Sequence, residues 1–140
     1  MDYGSCATVS TNKLVTAEEN KRKLILRNPN EKTVAKVKVD GCLLLTGKRC
    51  DYLFEIDQPI SKVIYLELKG RNIEDAYEQL VSTVEQFRGE HALASKKTCC
   101  VVAATVPKTT AASQQQDIKL KKRLLGIEIK RFSGQGSLEV

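Results

Sequence analysis

Hydrophobic and polar positions alternate most regularly between residues 49 and 69, in RCDYLFEIDQPISKVIYLELK. Tyr52, Phe54 and Ile56 recur at period two, and so do Ile64, Leu66 and Leu68. That period marks strands with a buried face. Asp57, Pro59 and Ser61 between the runs are turn formers, so the stretch reads as two antiparallel strands. If both apolar sets face one core, the parity of the pairing is fixed, because a one-residue slip would send one set to the other face. Asp51, Glu67 and Lys69 then share the opposite face. A turn centred near Pro59 sets Asp51 directly across from Glu67.

The rest of the chain is read outward from this hairpin. Residues 1–15 are weakly patterned and predict a loosely attached terminus. Thr16-Ala17-Glu18-Glu19 fits a capping box and predicts the start of a helix. Lys23 to Leu26 could finish that helix or open a strand. Asn28-Pro29-Asn30-Glu31 is a turn, and Thr33 to Val39 alternates, which favours a hairpin across the turn. Asp40-Gly41 is a further turn signal. Cys42 to Leu45 reads as a short buried strand, and Thr46-Gly47-Lys48 turns the chain into the central pair.

After Lys69, Gly70 breaks the strand and Asn72 caps a long helix. Its apolar stripe runs through Ile73, Ala76 or Tyr77, Leu80, Val84 and Phe87, and Gly89 ends it. Thr98 to Val106 is a near-continuous apolar run that fits a buried, parallel strand. Ala112 to Leu125 reads as a helix, Ile127 to Phe132 as a last strand and Gly134 to Val140 as a flexible tail. The pattern predicts one domain over residues 1–140, of α/β class, with a mixed central sheet flanked by helices.

Like charges directly opposite each other destabilise a sheet. The facing carboxylates Asp51 and Glu67 are explained by a divalent cation between them. Mg²⁺ takes one or two carboxylates and keeps waters and substrate phosphates as its other ligands. Asp51 followed by Glu67-Leu68-Lys69 on the next strand resembles the D…(D/E)xK signature of the PD-(D/E)xK nuclease superfamily, the restriction-endonuclease-like fold. The resemblance implies an αβββαβ core and Mg²⁺-dependent hydrolysis of phosphodiester bonds, with Mn²⁺ as an alternative ion. It makes Asp51 and Glu67 metal carboxylates and the Leu68 carbonyl a further ligand. Lys69 becomes the group that orients or deprotonates water. It also nominates supporting residues: an acid of the first helix, Glu18 or Glu19, and a glutamine on the helix after the lysine, Gln79. Asp40 is a second-acid candidate by position. Cys50 stands where the signature has proline. A homodimer is implied as well, since small domains of this type usually pair to cut two strands.

Acid-x-Lys alone carries little, because the chain has four such triplets. Glu19 and Asp117 fall in segments read as helix. Glu128 has no acid-bearing strand before it. Only Glu67 has an acid sixteen residues earlier at the start of the preceding strand.

Composition adds a partner class. The formal net charge is +6, and an excess of cations favours a polyanion through steering and counterion release. DNA is the expected partner, with RNA as an alternative. Lys48 and Arg49 just before Asp51, and Lys119, Lys121, Lys122 and Arg123 at a helix end, are the candidate phosphate contacts. Five cysteines at irregular spacing argue against a disulfide framework or a zinc site, and Cys42, Cys50, Cys99 and Cys100, in or beside strand-like runs, read as small core residues. With no leader-like or membrane-spanning apolar segment, the expected compartment is the cytoplasm. His91, the only histidine, stands in a polar stretch with no partner acid in evident register, so nucleophile–histidine catalysis is disfavoured. Two further readings stay open. One is a catalytically inactive module of the same fold that binds nucleic acid or a protein. The other is a small interaction protein with a basic surface.

Overall fold

Among the described residues the chain forms two sheets and one long helix. The structure, a computed structural model, describes residues 3–68, 73–104, 114–115, 118–119, 122–123 and 127–140. A short 3₁₀ turn, Gly4–Cys6, leads into β1 (Ala7–Ser10), β2 (Leu14–Glu19), β3 (Arg22–Arg27), β4 (Val34–Lys38), β5 (Tyr52–Ile56) and β6 (Lys62–Glu67). Helix α1 (Ile73–Gln86), β7 (Lys96–Ala103), β8 (Glu128–Ser133) and β9 (Gln135–Glu139) complete the order. The larger sheet runs β1-β4-β5-β6-β7-β8 and the smaller β2-β3-β9.

The central pair forms as its alternation predicts. Tyr52 pairs with Leu66, Phe54 with Ile64 and Ile56 with Lys62, a register symmetric about position 59. Tyr52, Phe54, Ile56, Ile64, Leu66 and Leu68 enter one core together, against Leu24 and Leu26 of the smaller sheet. The opposite face is equally dry. Leu53, Val63, Tyr65, Cys99 and Val101 pack against Ala76, Tyr77, Leu80, Val81, Val84 and Phe87 of α1 and its end. β6 and β7 therefore read as near-continuous apolar runs, and their parallel pairing, like that of β7 with β8, suits strands covered on both sides. The stripe expected on the long helix is the face α1 buries.

Several expectations are corrected. Thr16 to Glu19 is not a helix start. It is the end of β2, whose Val15 and Ala17 are buried and whose Thr16 and Glu18 are exposed. Asn20 and Lys21, both at positive φ, make a two-residue turn that pairs Glu19 with Arg22. That is the geometry of a primed hairpin turn, and cross-strand pairing outweighs the capping-box letters. β3 and β4 do not form a hairpin: they belong to different sheets. Cys42 to Leu45 is a turn held by an isolated Asp40–Leu44 bridge rather than a strand.

Neither end of the described chain is loose. Tyr3 is buried, and β9 pairs in parallel with β3 from Lys23–Gln135 to Arg27–Glu139. Cys6 and Cys42 form a disulfide. Cys42 is thus not a simple core residue, and a compartment argument built on unpaired cysteines loses its premise. Cys50, Cys99 and Cys100 are buried free thiols. The described residues of the Ala112–Leu125 segment are helical, but only the smaller sheet, not a first helix, covers the second face of the large one. No helix among the described residues is long and apolar enough to cross a membrane.

Gly136 makes the β9 contact possible, because a Cβ there would run into the body of the Phe132 ring. Overpacking of this kind costs about 1–3 kcal/mol. Gly136→Ala is expected to lower the unfolding free energy by that amount, read as a lower urea midpoint at unchanged m-value. A midpoint equal to wild type would show that β9 does not pack on β8 in solution.

Candidate functional site

Asp51 and Glu67 flank the end of the central ladder, one just before β5 and the other the last residue of β6. Tyr52 and Leu66 make the last regular pair of the ladder. Asp51 lies just before β5 and is stitched to both neighbours. Its N–H donates to the Leu66 carbonyl at 3.0 Å, and its own carbonyl accepts from Val39 N–H at 2.9 Å. Its Oδ2 accepts the Leu68 N–H at 2.6 Å, so the side chain continues the ladder where the backbone departs from it. Both acids are only 3% exposed. Their fields reach Cys50, whose thiol is pushed up to about 12. Burial is the main cause and the two carboxylates add to it, against the hydrogen bond from Thr83.

Helix α1 holds the approach to Asp51. Gln79 Oε1 accepts the Arg49 N–H at 2.5 Å, and Thr83 Oγ1 accepts the Cys50 N–H at 2.8 Å. Arg49 in turn places its Nε 2.8 Å from Asp40 Oδ1. Asp40, Arg49 and Gln79, three residues named from the sequence, are therefore linked to the segment that carries Asp51. Their contacts are those of a scaffold: the amide orients backbone, and Asp40 is paired with a guanidinium.

Glu19 stands on the other side. It pairs with Lys38 at 3.0 Å and accepts the Tyr52 hydroxyl at 3.4 Å. Glu18 is exposed on β2 and lies across from Lys23. Both come from a strand, so the acid expected from a first helix is corrected to one from the edge of a hairpin. Lys69 and Lys121 lie outside the described residues.

The Leu68 carbonyl has a partner that the sequence did not suggest. Arg22 Nη1 donates to it at 2.7 Å. The ligand role implied for this oxygen would have to use its second lone pair. Arg22 and Leu68 are 46 residues apart, and no local pattern announces such a contact. As donors, two carboxylates and a carbonyl are all hard oxygens, a set that fits Mg²⁺ completed by water and phosphate. Among the described residues no group of three or more His, Cys, Asp or Glu gathers around a common point.

The basic residues divide. Lys48 is exposed and 3.7 Å from Glu78. Arg123 lies 3.5 Å from Glu78 and 3.6 Å from Glu85, so its charge is shared with acids of α1. Lys119 and Arg123 line a cleft of roughly 430 Å³ with Glu74, Asp75 and Glu78. Lys122 is exposed.

His91 lies in the turn between α1 and β7, but it is buried and has an acid partner, which the polar stretch around it did not suggest. It is 1% exposed, stacks on Phe87, and joins Tyr65 Oη (2.6 Å from Nδ1) to Glu55 Oε2 (2.6 Å from Nε2). Tyr3 Oη donates to the same Glu55 oxygen at 2.5 Å. No serine or cysteine joins this chain of bonds among the described residues, so it pins the N-terminus to the sheet without supplying a nucleophile. Burial alone would raise the Glu55 carboxyl, but the hydrogen bonds from His91 and Tyr3 hold it below its ordinary value.

Comparison with family models, with curated proteins and with solved structures finds no match for this chain.

The depressed Glu55 value makes a pH prediction. As pH falls, the unfolded chain takes up this proton first, so stability rises with pH over that interval. The contribution is present above pH 4.5, the ordinary value for the group, and is lost as pH falls through the lower folded value. Urea unfolding of Glu55→Gln should show a loss of about 1–3 kcal/mol at neutral pH that shrinks below pH 4.5. A loss independent of pH would mean that the carboxylate charge plays no part.

Proposed function

We propose that this chain is a divalent-metal-dependent nuclease that hydrolyses phosphodiester bonds of DNA at Asp51 and Glu67, with RNA as the second substrate class. The observation that carries it is a pair of acids at the end of one ladder, each 3% exposed, whose fields both reach Cys50, with Asp51 bonded to the Leu68 N–H. Two carboxylates and a carbonyl are hard oxygen donors of the kind a divalent cation takes, with water and phosphate completing its shell.

The topology also supports this reading. β4, β5 and β6 form a meander, α1 follows, and β7 pairs in parallel with β6. This succession agrees with the βββαβ part of the restriction-endonuclease-like core, with a three-stranded sheet taking the place of the first helix. Pairing into a homodimer belongs to the same proposal.

In this mechanism Asp51 and Glu67 would hold the ion, and the Leu68 N–H keeps Asp51 in position. Such an ion, when bound, supplies Lewis-acid activation of water and offsets charge on the phosphate. Lys69 orients the water or accepts its proton. Gln79 and Thr83 fix the segment before Asp51, so they position the site without touching the reacting atoms. Lys48, exposed next to it in the chain, contacts the phosphate backbone, while Arg49 stays paired with Asp40 and supports the segment.

The near-complete burial of both acids favours one further reading, the same fold used only to bind nucleic acid or a protein. A gel assay separates the two, using linear, supercoiled, single-stranded and junction DNA and RNA with Mg²⁺, Mn²⁺ or EDTA. The nuclease reading expects metal-dependent cleavage, lowered by about 10²–10⁴-fold in Lys69→Ala and abolished in Glu67→Ala, with both variants folded. Absence of cleavage on every substrate, with variants binding as wild type does, would leave the binding module.

A further inference from the structure

A second charged site lies between the two sheets, at the end of β6 away from Glu67. Lys62 opens β6 and Glu67 closes it, which at a strand's rise separates them by roughly 16 Å. Lys62 pairs in register with Lys96 of β7, and Thr98 of β7 with Glu128 of β8. Residues in register on neighbouring strands, and those two apart along one strand, share a face. Lys62, Lys96, Thr98, Glu128 and Lys130 therefore stand on the face that Leu66, Cys100 and Val102 turn toward the smaller sheet.

From that sheet Arg27, Ser137 and Glu139 complete a cleft of roughly 280 Å³. Four cations and two acids line it. The acids do not neutralise it evenly. Glu128 bridges Lys96 at 3.5 Å and Lys130 at 3.1 Å, while Lys62 has no ion pair among the described residues. Burial, and then the Lys96 charge, hold the Lys62 ammonium below its ordinary value. Like charges in register on adjacent strands work against the sheet; Glu128 offsets part of this through Lys96 and Lys130, and an added anion would offset the rest.

We infer that this cleft binds a phosphoryl group, held by Lys62, Arg27 and Lys130 with hydroxyl donors from Ser137 and Thr98. Lysine supplies point charge, arginine a fork of N–H donors that matches paired oxygens, and hydroxyls fill the remaining acceptors. Arg27 Nε already donates to Ser137 Oγ at 3.1 Å, which orients that hydroxyl at the rim. A phosphoryl group offers enough oxygens to satisfy three cations at once. The site stands apart from the Asp51–Glu67 pair and does not rest on the nuclease reading.

The test is calorimetric titration in EDTA at constant ionic strength. The probes are inorganic phosphate, a nucleoside 5′-monophosphate and a single-stranded oligonucleotide without a terminal phosphate. Saturable binding is expected, weakened about tenfold in Lys62→Gln and in Lys130→Gln, the loss of one charge-assisted hydrogen bond. Lys62→Arg should retain most of it, and Lys13→Gln should leave it unchanged. Dependence on Lys62 for the two small probes alone identifies a free phosphomonoester as the ligand. The same dependence for the oligonucleotide identifies backbone phosphate. Binding indifferent to both substitutions, or no more than chloride gives, overturns the site. Running in EDTA with Glu67→Gln protein as a parallel sample keeps the result independent of cleavage.

Discussion

Everything in this fold depends on the register of β5 against β6. Both faces of that pair are buried, one by α1 and the other by the smaller sheet. A slip of one residue would exchange the two side-chain sets between two differently shaped cores. Tyr65 would lose its bond to His91, and Phe54 and Leu66 would leave the β2–β3 side. Packing on two faces thus holds the ladder more tightly than hydrogen bonds alone could, and it also determines what stands at the ladder's end.

What stands there is a pair of acids. Asp51 lies one step beyond the last regular pair and spends one oxygen on the Leu68 N–H. Gln79 and Thr83 anchor the two residues before it to α1, and Arg22 reaches over from the smaller sheet to Leu68. Every layer of the protein contributes at least one contact to this corner. The rigidity suits a site whose ligands must stay in place while charge develops on a substrate. It also suits a module that only binds, which is why the cation, rather than the fold, decides between the readings.

The part of this that was legible in the sequence is the part with a strong period. Tyr52, Phe54 and Ile56 against Ile64, Leu66 and Leu68 announced their shared face, and the α1 stripe and the apolar β7 run were equally plain. The β2–β3 hairpin was obscured because Thr16 and Glu19 satisfy a capping box while Asn20-Lys21 satisfies a primed turn; only pairing with β3 decides between them. β9 was hidden by its glycine and serine, which pack because Gly136 has no side chain to strike Phe132. The Cys6–Cys42 link and the Tyr3–Glu55–His91–Tyr65 network join residues far apart in the chain, where neither spacing nor period carries information. Asp40, Arg49 and Gln79 were found by position and do meet near Asp51. Glu18 does not join them, and Arg22 was missed.

The central claim is that Asp51 and Glu67 form a divalent cation site. Its most direct test is Mn²⁺ binding followed by the loss of the free-ion EPR signal, in wild type and in the Asp51→Asn/Glu67→Gln double variant. The account predicts saturable binding of one ion per chain that disappears in the double variant, with the fold retained by circular dichroism. Equal binding in both proteins, or none in wild type, would contradict it.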